Sequence, residues 1–142
     1  MPSSVFIAFI STTALIGSQS ENPYCFPSLG LTDIVLKVGS RRIPGYDLKL
    51  DTTTGDVQMA MFETFKALNL IGSPSSRAPE CINRDTFGKA ATVLGFDISR
   101  NSKPNKPYVN SDFEASNLSI TGNFNAATTK PYTSTVTKKN VN

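Results

Sequence analysis

Asp47, Asp51 and Asp56 lie close together in a turn-rich stretch. Carboxylates spaced like this are the first place to look for acid–base chemistry or a divalent cation. No further ligands accompany them, so they read as turn and cap residues. Histidine is absent, which excludes an imidazole base, a Ser–His–Asp triad and a histidine metal ligand. Serine and threonine are plentiful, yet neither a Gly-x-Ser-x-Gly elbow nor a phosphate-cradling glycine loop occurs. Arg41, Arg42, Arg77, Arg84 and Arg100 are dispersed and lack the interleaved aromatics of a single-strand binder. Lys130, Lys138 and Lys139 make a mildly basic end that reads as solvated. Cys25 and Cys81 are either one disulfide or two ordinary small hydrophobes, the latter being the simpler reading. No catalytic, cofactor-binding or metal residue is expected, and no cofactor. By elimination the chain is a structural or binding domain.

The elements that would position any site are mostly strands. A chain of 142 residues suits one domain, and 9 glycines with 9 prolines suit strands and turns better than a bundle. A net charge of +3 does not demand nucleic acid. Leu31 to Val38 alternates, with Ile34, Leu36 and Val38 on one face and Asp33 and Lys37 on the other. Thr92 to Ser99 is a second apolar run, buried on both sides or bulged at Gly95. Val38-Gly39-Ser40-Arg41 fits a type II′ hairpin, with a short return stopped at Pro44. Thr53 and Asp56 have capping-box spacing before a helix whose stripe Val57, Met61, Phe65 and Leu68 is predicted to face the core. Asn83 is predicted to cap one turn over Arg84 to Phe87, ended by Gly88. Asn117 to Phe124 alternates again, with Leu118, Ile120 and Phe124 on the buried side. Asn117-Leu118-Ser119 is also a glycosylation sequon, a triplet that arises often by chance.

The two ends carry alternatives. Val5 to Ile10 followed by Ala14-Leu15-Ile16 has the apolar character of a signal-peptide core, but Met1-Pro2-Ser3-Ser4 carries no Lys or Arg. A buried strand from Ser4 is the preferred reading. From Ala127 onward the chain is rich in Thr and Lys, and residues 130–142 are predicted to fray.

Taken in order, these pieces resemble the C-terminal jelly-roll portion of the hexon-like, double jelly-roll major capsid proteins of Polinton (Maverick) elements and adintoviruses. The resemblance runs from Val5 to Ile10, through Ala14-Leu15-Ile16-Gly17-Ser18, Asn22-Pro23-Tyr24-Cys25-Phe26, the hairpin ending at Ile43-Pro44, Leu50-Asp51 and the helix with Phe62 and Phe65. It continues through Ile82 to Phe87, the run Thr92 to Ser99, which is its best single match, and Asn117 to Ile120. The family's proteins carry a first jelly roll before this region and end on a long apolar strand, whereas residues 130–136 are polar here. The resemblance implies a mostly β fold: a partial jelly-roll β-sandwich over residues 4–129 with one inserted α-helix. It implies a fragment acting in a capsid shell by self-association, with other copies as partners (trimers in the family). It implies a virion location, or an intracellular one outside an active element, with no membrane, specific nucleic acid or small-molecule substrate. A host gene reusing the capsid fold has the same sequence signature. The alternative from another class is a secreted β-sandwich module that binds a glycan or protein through the loops Gly72 to Glu80 and Ser99 to Ser111.

Overall fold

A computed structural model describes residues 2–52, 54–71, 82–99, 117–127 and 130–140 of the chain. The fold is mostly β, a partial sandwich of two antiparallel three-stranded sheets. The strands are β1 (Pro2–Ser11), β2 (Leu31–Val38), β3 (Arg41–Lys49), β4 (Val93–Asp97), β5 (Leu118–Phe124) and β6 (Tyr132–Asn140). One sheet has the order β4-β1-β6 and the other β3-β2-β5. Among the described strands, only the consecutive pair β2 and β3 shares a sheet; every other consecutive pair lies in opposite sheets.

The core forms because alternating apolar rows meet between the sheets. Val5 and Ile7 of β1 and Leu94 and Phe96 of β4 face Ile34, Leu36 and Val38 of β2, with Leu31, Leu48 and Val57 closing the ends. The apolar run at the N-terminus is thus β1, the central strand of its sheet, as the preferred reading expects. Gly39 takes φ +60°, the value a type II′ turn requires, so β2 turns into β3 where the sequence places the hairpin.

β3 does not stop at Pro44. Register passes from Leu36↔Ile43 to Ile34↔Leu48, so the residues from Pro44 to Asp47 bulge out and pairing resumes beyond them. Proline removes one ladder donor, and at a sheet edge that loss is tolerated because the bulge leaves no partner opposite it.

Helix α2 (Gln58–Ala67) packs along the free edge of β4, flanked in the chain by the short helices α1 (Thr12–Ile16) and α3 (Arg84–Phe87). The chain therefore has short helices beside the one inserted helix expected. The predicted inward stripe holds at Val57 and Met61, which meet the core, and is corrected at Phe65 and Leu68. Beyond Val57, α2 buries Ala60, Glu63, Thr64 and Ala67, while Met61, Phe65 and Leu68 are only half-buried. The helix rests on β4 at Gly95, where an added Cβ would stand 3.0 Å from Ala67 Cβ and from Thr64 Cα. Backbones this close admit only small residues, and the larger side chains are displaced to the flanks. Thr53 of the predicted capping box lies outside the described residues; the helix instead starts with Val57 at the N-cap without a side-chain bond, and Asp51 and Asp56 form an isolated bridge ahead of it. α3 matches its prediction, the Asn83 side chain accepting from the Asp85 and Thr86 amides.

The predicted frayed tail is also corrected. Residues 132–140 form β6, pairing with β1 along nearly its whole length. Thr133, Thr135 and Thr137 alternate on one face opposite Ile10, Ala8 and Phe6, and β-branched residues favour this extended, half-covered setting without being apolar.

Candidate functional site

Sheet edges are where a sandwich either ends or continues, and the four edges here differ. The β4 edge is covered by α2. The Thr64 hydroxyl accepts from Gly95 N–H at 3.0 Å and lies 3.0 Å from the carbonyl of Val93 and 2.8 Å from that of Ala60. One side chain thus satisfies the backbone groups that a neighbouring strand would have paired. The β3 edge carries Arg41, Arg42, Asp47 and Lys49 beside the Pro44 bulge, with an Arg42–Asp47 ion pair. Charges and bulges of this kind discourage pairing.

The opposite flank is built otherwise. Ile34, Leu36 and Val38 stand opposite Gly122, Ile120 and Leu118, so the core-facing row of β5 is Leu118, Ile120, Gly122 and Phe124. On β6 the residues opposite Phe9 and Ile7 are Ser134 and Val136. These positions point between the sheets, yet Ile120, Phe124 and Val136 remain 37%, 41% and 39% exposed. A cleft of about 680 Å³ opens there, lined by Phe9, Leu29, Phe124, Asn125, Tyr132 and Ser134. A recess of about 200 Å³ beside it reaches Ile7, Ile34, Ile120 and Val136. Phe9 and Phe124 span the gap edge-to-face, ring centres 5.6 Å apart. Among the described residues, the sandwich is open along β5 and β6.

The rim is polar and well bonded. Asn123 Nδ2 donates to both Asp33 carboxylate oxygens at 2.9 and 3.0 Å, and Thr32 Oγ1 donates to Asn123 O at 3.1 Å. At one end Glu21 joins the segment after α1 to the start of β6, accepting from the Ser11 hydroxyl and from Lys130 Nζ at 2.9 Å. The Ser11 hydrogen bond, then Lys130, hold the Glu21 carboxyl below its ordinary value, and Glu21 raises the Lys130 ammonium above its own.

The residues singled out for chemistry are scattered. Asp47 pairs with Arg42, and Asp51 Oδ1 accepts from Thr54 N–H at 3.2 Å within its turn. Arg84 Nε donates to Gly55 O at 3.3 Å. Among the described residues no group of three acidic or sulfur ligands gathers, and no helix is long and apolar enough to cross a membrane. Cys25 is half-buried, while Cys81, Arg77 and Arg100 lie outside the described residues, as do the loops of the binding-module reading apart from Ser99. Asn117 is exposed at the start of β5, its carbonyl accepting from Gly39 N–H at 2.9 Å.

Sequence reasoning missed the second wall of the opening. The alternation of Thr133, Thr135 and Thr137 was the available signal for β6. It is hard to use because the strand brings Val136 as its apolar core-facing residue. No protein-family model matches the chain, and no curated protein or solved structure is significantly similar to it.

Proposed function

We propose that the chain is a structural protein, a fragment of a viral-type double jelly-roll major capsid protein of the Polinton and adintovirus kind, that acts through self-association in a shell. The observation that carries this reading is the open flank. Core-facing Ile120, Phe124 and Val136 stand in solvent beside a strand edge, β5, that no described residue covers. A sandwich incomplete on one side gains by burying that side against another molecule. Connections that repeatedly cross between the sheets are also the habit of Greek-key and jelly-roll sandwiches. Association, on this reading, replaces chemistry as the working activity, and the partners are other copies.

Size-exclusion chromatography with light scattering tests it. The expected result is a mass that rises with concentration. A sharp, concentration-independent monomer would overturn it, the more plainly if it melts cooperatively above about 60 °C, beyond most of the usual mesophile range.

A further inference from the structure

Four edges, two sheets and one net charge narrow what can cover the open flank. Resting on the self-association reading, we infer that a second copy of this chain covers it. The β5 strand pairs antiparallel with β5 of the partner about a two-fold axis at Thr121, making one six-stranded sheet.

Charge selects the edge. Each copy carries +3, so the edge that costs least to share is one that adds no close like-charge contacts to this repulsion. Arg41, Arg42 and Lys49 guard β3, and Lys138 and Lys139 sit on β6. α2 covers β4 through Thr64. From Leu118 to Phe124, β5 carries no charged residue at all. It is the edge two like-charged copies can share.

Register selects the axis. Directly opposed residues in an antiparallel pair point to the same side of the sheet. A two-fold axis perpendicular to the sheet at Thr121 sets Leu118 opposite the partner's Phe124 and Ile120 opposite the partner's Gly122. The core-facing rows of both copies then continue on one side, and both sandwiches lie on that side. Each large side chain meets a different one, and Ile120 lands beside the residue without a side chain. Thr121 is the centre of the strand, so this axis pairs every β5 residue. Moving the axis by one residue in either direction leaves residues unpaired at the ends of the strand. The exposed Ile120 and Phe124 of each copy are covered by the same event that satisfies the edge.

Thr121 is exposed, so a cysteine there reports the axis without disturbing the core. Across an antiparallel pair, opposed Cα atoms stand about 4.5–5.5 Å apart, within the span a disulfide bridges. In a Cys25→Ser, Cys81→Ser background, Thr121→Cys is expected to give a covalent dimer on mild oxidation. Ser119→Cys faces the partner's Asn123 and should give about ten-fold less, while Ser119→Cys with Asn123→Cys together restores the cross-link. Light scattering on the same samples reads association independently. Association without a Thr121 cross-link, equal cross-linking at Ser119 alone, or preferential cross-linking through Thr135→Cys on β6 would overturn the β5 pairing and leave self-association standing. A monomer at every concentration would overturn both.

Discussion

Thr64 shows how much one hydroxyl can organise. It stands in a helix, bonds back to Ala60 O, and meets the backbone of β4 on both sides of Leu94. Replacing it with valine keeps the volume and leaves the buried Gly95 N–H without its acceptor. The expected loss is about 1–3 kcal/mol, measured by denaturant unfolding. Gly95→Ala probes the same contact sterically, since the new methyl would lie 2.9 Å from the Phe6 ring and 3.0 Å from both Thr64 Cα and Ala67 Cβ. It should cost about 1–3 kcal/mol through overpacking. Gly45→Ala, with nothing within 4 Å, should stay within about 0.5 kcal/mol. Glu21 and Lys130 give a pH signature. A carboxyl with a lowered folded pKa stabilises above its unfolded value, and that contribution disappears as pH falls through the folded value. An ammonium with a raised pKa stabilises below its unfolded value and loses this as pH rises through the folded one. The clasp therefore holds between the two titrations. Ser11→Ala removes the largest single cause, and Lys130→Ala removes a hydrogen bond and a charge together, so each should move the Glu21 midpoint upward in a carboxyl-detected NMR titration.

At the scale of elements, α2 and β6 differ most from expectation. The helical period of Val57, Met61, Phe65 and Leu68 is present in the sequence, but the side of the helix that touches the sheet is set by how closely it can approach. Gly95 invites close approach, so the alanines and Thr64 face inward. Ala67→Leu is thus expected to destabilise by about 1–3 kcal/mol, whereas Met59→Ala and Phe62→Ala, at exposed positions, should remain within about 0.5 kcal/mol in the same melts. Asp97 adds a finding of the same kind. It is buried at the end of β4, with Oδ1 accepting from the Ser99 amide at 2.9 Å and from the Ser99 hydroxyl at 2.6 Å. The strand brings it there because Asp97 lies opposite Ser4, on the same face as Gly95. β1, like β2, is a central strand with partners on both sides. Deleting residues 2–11 removes the middle of its sheet, and the expected outcome is loss of the cooperative transition by circular dichroism.

For the whole molecule, the proposed association through the open flank sets what is expected in solution. Lysine on an edge strand opposes pairing through its charge and hydration. Ile120→Lys should therefore abolish concentration-dependent mass while keeping the native circular dichroism spectrum, because its position is already 37% exposed. Sedimentation velocity checks this against Lys37→Ala on the outer face of β2, which should associate like the parent chain. What the sequence determined by itself were the local patterns: the alternation of β2 and β5, the glycine turn into β3, the Asn83 cap, the apolar run that became β1, and the absence of histidine chemistry. Each of these depends on neighbours a few residues apart, where backbone dihedrals, capping and side-chain period act directly. Tertiary structure alone decided which face of α2 is buried, how β3 continues past Pro44, and that a polar threonine strand completes the first sheet. It also decided that Ile120 and Phe124, apolar and core-facing, are left partly in water. Those outcomes depend on which strands become neighbours and how closely their backbones approach. A period-two pattern specifies that a side chain points inward, but only the arrangement of the sheets determines whether anything is there to cover it.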